Sequence, residues 1–122
     1  MNNLAKTLLI AVVLAAFMVM KRIGLVSAQT ARKQLNEGAL VVDVRSAGEF
    51  NARHLSKAVN IPLDELQERL PKRVPDKNQV LLLHCLSGTR SGIARRILKG
   101  MGYANVFNLG SYGRAQRIVS AK

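Results

Sequence analysis

The chain has 122 residues, which leaves room for one compact domain and excludes two. It carries 19 basic and 7 acidic residues, and this net charge of +12 favours anionic partners. The basic residues are scattered, aromatic residues are few and no recognition motif is present, so nucleic-acid binding is not expected. The single cysteine, Cys85, excludes an intramolecular disulfide and a metal site built from several cysteines.

The first element in the chain is an apolar segment. Residues Thr7–Met20 contain no charge, and Lys21 and Arg22 follow them. A membrane-spanning helix needs roughly 20 apolar residues, so an anchor over residues 4–26 requires its basic side chains to reach the membrane interface. A signal peptide removed after Ala28 is the alternative, although the two basic residues would lie between the apolar run and the cleavage site.

The two interpretations of this segment predict different locations for the domain. Positive charge is greater on the C-terminal flank, where Arg32 and Lys33 add to the basic pair, and this bias places the following domain in the cytoplasm. Cleavage would instead release the domain on the far side of the membrane. In either case residues 1–26 are predicted to form a hydrophobic helix, and residues 27–122 the domain.

The rest of the chain alternates predicted helices and strands. Two apolar runs, residues 39–44 and 79–84, are typical of strands buried on both faces. Ser46 and Glu49 form the pattern of a capping box. The other predicted elements are helices at 28–36, 47–52, 64–70, 91–101 and 113–120, short strands at 58–60 and 105–107, and a polar loop at 71–77. This alternation predicts an α/β domain around a mainly parallel sheet.

The segment from His84 to Ser91 carries the chemistry. Cys85 follows a buried strand and Ser91 begins a helix, so the loop between them lies where open α/β sheets bind ligands. Backbone N–H groups that point into such a loop, together with the helix N-terminus, favour a thiolate and lower the pKa of Cys85. Arg90 supplies a permanent cation, and Gly88 permits the tight turn. A buried structural cysteine before an ordinary turn is the alternative interpretation.

The length of this loop discriminates between two enzyme classes. Cysteine phosphatases use Cys-x5-Arg, because the loop must surround three phosphoryl oxygens. Cys85 and Arg90 are spaced as Cys-x4-Arg, which suits a smaller sulfane sulfur, and Ser91 stands where a phosphatase has its arginine. A phosphatase or arsenate reductase is therefore disfavoured. His84 is similar to the histidine of the phosphatase His-Cys pair, but a histidine at a strand end is as often structural.

The order and spacing of several motifs resemble a single-domain rhodanese, and in particular the small phage-shock type found in bacteria. The matching segments are Val42-Asp43-Val44-Arg45, Glu49-Phe50, His54, Ala58-Val59-Asn60-Ile61-Pro62-Leu63, Val74-Pro75-Asp76-Lys77-Asn78, the Cys85 loop, Gly100-Met101-Gly102-Tyr103 and Val106. Proteins of the phage-shock type are exported, which favours the signal-peptide interpretation and a periplasmic domain. The membrane-anchor interpretation places a single-pass protein in the bacterial inner membrane.

The resemblance implies a five-stranded parallel sheet with helices on both faces and a sulfurtransferase activity. Sulfane sulfur would move from thiosulfate, or from a persulfide on a protein or small molecule, to cyanide or a thiol. Cys85 would be the nucleophile, and Arg90 would assist it by docking the anionic donor. Asp43 and Arg45 would tie the loop to the first strand. The residues implied to bind the substrate are Leu86, Ser87, Gly88, Thr89, Arg90 and Ser91. No metal and no organic cofactor is expected.

Two segments depart from the family pattern. The usual Gly-His-Ile-Pro-Gly-Ala is replaced by residues 53–58, Arg-His-Leu-Ser-Lys-Ala, and the expected Gly-Gly and Trp by residues 110–113, Gly-Ser-Tyr-Gly. Arg53 and Lys57 add positive charge near the site, although solvated surface charge is the simpler explanation. Two further functions stay open: a non-catalytic binding or sensing module, and a relay that receives sulfur from a dedicated protein donor.

Overall fold

The computed structural model describes residues 2–121; Met1 and Lys122, the outer ends of the two predicted segments, lie outside the described residues. The elements follow one another in an alternating order. The helices are α1 Asn3–Ile23, α2 Ala28–Asn36, α3 Ala47–Ala52, α4 Leu66–Arg73, α5 Thr89–Gly100 and α6 Tyr112–Ser120, with a 3₁₀ turn at Leu63–Glu65. The strands are β1 Leu40–Asp43, β2 Val59–Asn60, β3 Leu81–His84 and β4 Val106–Gly110.

The sheet is parallel and has four strands in the order β2-β1-β3-β4. The prediction of a parallel α/β sheet is confirmed, whereas the prediction of five strands is wrong. The fifth position is occupied by Leu25 alone, which forms an isolated parallel bridge with Asn108 of β4. The extended segment is short there, because Gly24 before it has a left-handed backbone (φ +67°) and Ser27 after it caps α2.

Each face of the sheet has its own apolar cluster, because alternate residues of a strand point to opposite faces. One cluster contains Val42, Leu83, Leu70 of α4 and Leu98 of α5. The other contains Val41, Leu82, Ala31 of α2 and Ile118 of α6. Helices therefore cover both faces, and the carboxyl ends of β1 and β3 lie at the edge where β3 passes into α5.

The N-terminal apolar segment is helical, as predicted, but the structure does not support a membrane anchor. No helix within residues 2–121 is both long enough and apolar enough to cross a membrane. Between Lys6 and Lys21 only 14 residues are uncharged, fewer than the roughly 20 that a span requires. The membrane contact predicted for residues 4–26 is therefore not supported, and the side of the membrane stays an untested prediction.

Several element boundaries differ from the predicted ones. Helix α2 and the capping box of α3 are as predicted, with the Ser46 hydroxyl accepting from the Glu49 N–H at 3.2 Å. The predicted loop at 71–77 is wrong at its start, because α4 continues through Pro71 to Arg73. Burial of Leu70 and Val74 holds this last turn against the core.

The turn that lacks the glycines of the family pattern keeps a backbone that suits glycine. Lys57, which stands at a glycine position of that pattern, has φ +67° and is the only non-glycine residue with positive φ in the described chain. An exposed lysine in this conformation is strained by about 1 kcal/mol or more.

Candidate active site

The loop that carries the cysteine is shorter than predicted. Strand β3 ends at His84, and α5 begins at Thr89, so only residues 85–88 connect them. Gly88 has φ +97°, and a Cβ at this position would lie 3.3 Å from the Cα of Gly110. Only glycine fits this turn without strain. Arg90, predicted at the end of the loop, lies instead in the first turn of the helix.

The sulfur of Cys85 lies at the floor of this turn. Cys85 is fully buried, and its Sγ accepts a hydrogen bond from the Gly88 N–H at 3.0 Å. The Ser91 hydroxyl lies 3.4 Å from the same atom. The Cys85 N–H donates to the Gly110 carbonyl at 3.3 Å, which ties the start of the loop to the end of β4.

These contacts determine the acidity of the thiol. Burial by itself raises the pKa of Cys85, because it disfavours the charged form. Hydrogen bonds from the Ser91 hydroxyl and from backbone N–H groups outweigh burial, so the pKa lies below its ordinary value. The backbone donors are those of Ser91, Gly88 and Ser87. The loop therefore stabilises a thiolate, which is the nucleophilic form of cysteine.

The remaining loop residues are more open to solvent. Leu86 is 54 % exposed, and Ser87 and Thr89 are also exposed. The Leu86 carbonyl accepts from the Tyr112 N–H at 3.1 Å, which fixes the outer part of the loop to the start of α6. The exposed residues form a rim around a buried sulfur.

Arg90 is held by a carboxylate that the sequence did not assign to the site. Its two terminal nitrogens donate to the two oxygens of Glu49, at 2.7 and 3.0 Å. The pairing with Arg90 lowers the pKa of Glu49 to about 2, and the hydrogen bonds from Ser46 contribute. In the sequence, Glu49 completes a capping box and belongs to the Glu49-Phe50 match to the rhodanese pattern, but nothing in the local pattern reveals a partner 41 residues away.

Asp43 and Arg45 form a buried ion pair behind the loop. The Arg45 Nη2 lies 2.7 Å from Asp43 Oδ2 and also donates to the Arg53 carbonyl at 2.7 Å. The Arg45 guanidinium also lies over the ring of Tyr112, 4.7 Å from its centroid. Since Tyr112 holds the Leu86 carbonyl, the pair connects β1 to the outer part of the loop.

His84 is fully buried beside the Asp43–Arg45 ion pair. Its Nδ1 lies 3.4 Å from the Cys85 carbonyl, and its Nε2 lies 3.7 Å from Asp43 Oδ2 without a hydrogen-bond partner among the described residues. Burial lowers the pKa of His84, so the ring is neutral near pH 7. Among the described residues, the hydrogen bonds to the sulfur come from Gly88 and Ser91, whereas the His84 ring bonds the Cys85 carbonyl at the strand end.

Two other basic residues near the turn have different surroundings. The guanidinium carbon of Arg53 lies 4.2 Å from the centroid of the Tyr112 ring, the same ring that Arg45 contacts. Lys57 is exposed, in agreement with a solvated surface charge. A cavity of about 660 Å³ opens beside Arg90 and is also lined by Leu63 and Ile93. Cys85 does not line it, so this cavity is not the pocket of the sulfur.

Comparison with known proteins identifies the family and the fold. The sequence pattern of the rhodanese-like domain matches residues 27–113, more than half of the chain. The chain belongs to the rhodanese-like family. It is 44 % identical over 69 residues to the thiosulfate sulfurtransferase PspE of Escherichia coli, covering 57 % of this chain and 66 % of PspE, slightly less than two thirds.

Two solved structures have the same fold. A rhodanese with anions from E. coli is 39 % identical, with a TM-score of 0.61, over 63 % of this chain and 91 % of that chain. The human single-domain sulfurtransferase TSTD1 is 26 % identical, with a TM-score of 0.66, over 81 % of this chain and 98 % of that chain. These relatives support the prediction of a rhodanese-type enzyme of the PspE type.

Proposed function

We propose that this rhodanese-like chain is a sulfurtransferase that carries sulfane sulfur on Cys85. The donor is thiosulfate or a protein or small molecule that carries a persulfide, and the acceptor is cyanide or a thiol. The observation that carries the proposal is the set of donors aimed at the Cys85 sulfur from the loop and the start of α5. The same donors that stabilise a thiolate also stabilise the terminal anionic sulfur of a persulfide.

The reaction divides into two displacements at sulfur. The Cys85 thiolate attacks the outer sulfur of thiosulfate, the S–S bond of thiosulfate breaks, and sulfite leaves with the bonding electron pair. The enzyme then holds a Cys–S–S⁻ persulfide. A thiophilic acceptor attacks the terminal sulfur, the new S–S bond breaks, and the thiolate is restored. Neither step requires a net proton transfer or a redox partner.

The mass of the intact protein tests this proposal directly. Incubation with thiosulfate is expected to add about 32 Da, the mass of one sulfur atom, and cyanide is expected to remove it. Because Cys85 is the only cysteine, protein alkylated beforehand with iodoacetamide is a matched control that must not gain this mass. A mass that does not change with thiosulfate or with an organic persulfide would contradict the proposal and favour a non-catalytic binding module.

Replacing Arg90 with alanine is expected to raise the KM for thiosulfate about three- to tenfold, with a smaller change in kcat. The guanidinium belongs to the first helical turn after the loop and interacts electrostatically with Cys85, but Glu49 already neutralises part of its charge, so we expect a moderate effect. Steady-state kinetics with thiosulfate and cyanide measure it.

Arg96→Ala provides the matched control for this measurement, because Arg96 is an exposed arginine of the same helix. It lowers the net charge of the protein equally and is expected to leave the KM within twofold of the original value. An equal rise in KM for both variants would mean that general surface charge, rather than Arg90, attracts the donor.

A further inference from the structure

A buried asparagine links the catalytic loop to the strand behind it. The side chain of Asn108 in β4 is fully buried and makes four hydrogen bonds. Its Nδ2 donates to the carbonyls of Ile23 and Gly88, at 3.0 and 3.1 Å. Its Oδ1 accepts from the Ser91 hydroxyl at 2.7 Å and from the Gly110 N–H at 2.8 Å. Both donor positions and both acceptor positions of the amide are therefore used.

The Ser91 hydroxyl has one proton and three neighbouring acceptors. These are Asn108 Oδ1 at 2.7 Å, the Gly88 carbonyl at 3.1 Å and Cys85 Sγ at 3.4 Å. The short distance places the proton on the side of Asn108 when the sulfur is neutral. An anionic sulfur attracts the same proton more strongly, because hydrogen bonds to charged acceptors are about twice as strong.

The hydrogen bond from the Gly110 N–H to Asn108 Oδ1 lowers the free-energy cost of turning the Ser91 hydroxyl from Asn108 toward the sulfur. When the Ser91 hydroxyl turns toward the sulfur, the amide oxygen keeps the Gly110 N–H and is not left without a donor. The proton remains on the hydroxyl oxygen throughout, and only the O–H bond rotates.

We propose that Asn108 is a positioning residue for the Cys85 sulfur. It holds the Ser91 hydroxyl within reach of the sulfur, and through the Gly88 carbonyl it fixes the peptide turn whose N–H donates to the sulfur. Asn108 does not touch the sulfur itself. Its own backbone is fixed by residues 24–26, which lie beside β4. The Asn108 N–H donates to the Gly24 carbonyl and the Val26 N–H donates to the Asn108 carbonyl, each at 3.0 Å.

The charged and titratable groups around the sulfur are separate from this asparagine. Arg90 of α5 is paired with Glu49 of α3, and His84 of β3 faces Asp43 of β1. None of these four groups is among the hydrogen-bond partners of the Asn108 side chain within the described residues. Substitution of Asn108 therefore changes the donors to the sulfur without removing a neighbouring charge.

The rate of alkylation by iodoacetamide as a function of pH tests the inference. The reagent reports on Cys85 alone, and the wild-type midpoint is expected below the ordinary thiol pKa of about 8.5. In Asn108→Ala the midpoint is expected to rise by about one pKa unit, the effect of one lost or weakened hydrogen bond to an anion. The Asp variant, Asn108→Asp, has nearly the same shape and is expected to give a larger rise, because a carboxylate cannot donate to the Gly88 carbonyl and also adds a negative charge near the thiolate. The Ala variant, which adds no charge, therefore measures the loss of positioning alone.

Asn105→Ala is the matched control. Asn105 lies just before the same strand, and its amide donates to the Asn78 carbonyl, at the opposite end of β3 and β4 from the loop. It is expected to leave the midpoint unchanged. Cooperative thermal unfolding of each variant verifies that the fold is kept.

Two outcomes would overturn the inference. One is a folded Asn108→Ala or Asn108→Asp protein whose midpoint is unchanged or lower, since a lower value would mean that Asn108 competes with the sulfur for the hydroxyl. The other is an unchanged midpoint in Ser91→Ala, which keeps Asn108 and is informative even if the Asn108 variants fail to fold. The inference deepens the proposed function, but alkylation requires no sulfur transfer, so it can fail or hold independently of that function.

Discussion

The variant Cys85→Ser is expected to transfer sulfur from thiosulfate to cyanide at least about a thousandfold more slowly than the wild type, roughly 4 kcal/mol in transition-state free energy. A serine hydroxyl is not ionised near pH 7 and cannot form the persulfide. The chain has no second cysteine that could take over the reaction. Release of thiocyanate, measured with both substrates in excess, gives the rate.

The same variant is expected to keep its fold. The serine oxygen occupies the position of the Cys85 sulfur and can still accept from the Gly88 N–H, so the free energy of unfolding is expected to change by about 1 kcal/mol or less. Urea denaturation compares the two proteins. A folded Cys85→Ser protein that retains a tenth or more of the activity would exclude Cys85 as the sulfur carrier.

The strand–turn–helix structure around Cys85 was predictable because its parts are adjacent in the sequence. Cys85, Gly88 and Arg90 lie within six residues, between an apolar run and an amphipathic helix. Strand end, turn and helix start are local features, and the backbone N–H groups that hold the sulfur follow from them. What local pattern could not show is the exact end of the turn, because helix α5 begins at Thr89 and includes Arg90.

The partners of the loop residues were not predictable in the same way. Glu49 binds Arg90 from another helix, and Asn108 binds Ser91 from another strand. These contacts depend on how β1, β3 and β4 lie side by side, which only the folded sheet determines. A single sequence contains no signal that distinguishes Asn108 from any other asparagine near a strand.

The count of strands failed for a related reason. Leu25 is a single apolar residue between Gly24 and the helix cap Ser27, too short for a strand pattern. It pairs with β4 because Asn108 binds the residues on either side of it. The backbone N–H and carbonyl of Asn108 bond Gly24 and Val26, and its side chain donates to the Ile23 carbonyl. The partner strand, rather than the local sequence, determines this edge of the sheet.

The variant Asp43→Asn is expected to lose about 3–5 kcal/mol in free energy of unfolding. Asp43 is fully buried and Arg45 is 4 % exposed, and the carboxylate accepts from the Arg45 Nε at 3.0 Å and from its Nη2 at 2.7 Å. This bond raises the pKa of Arg45 above its usual value. Arginine is protonated near pH 7 even without such a partner, so the guanidinium stays charged after the carboxylate is gone. An amide at position 43 has nearly the same shape, so the loss reports on charge and hydrogen bonding rather than on a cavity.

A double-mutant cycle separates the pair from its surroundings. Arg45→Met removes the buried cation, and the double variant Asp43→Asn/Arg45→Met is expected to be at least about 1 kcal/mol more stable than the sum of the single losses implies.

Glu65→Gln is the matched control, because the Arg69–Glu65 pair at 3.4 Å is about half exposed and is expected to contribute less than about 1 kcal/mol. Strict additivity of the two buried substitutions would show that Asp43 and Arg45 stabilise the fold separately. A positive coupling would show that the pair acts as one unit. The outer part of the Cys85 loop is connected to this unit, because Arg45 packs on the Tyr112 ring and the Tyr112 N–H donates to the Leu86 carbonyl.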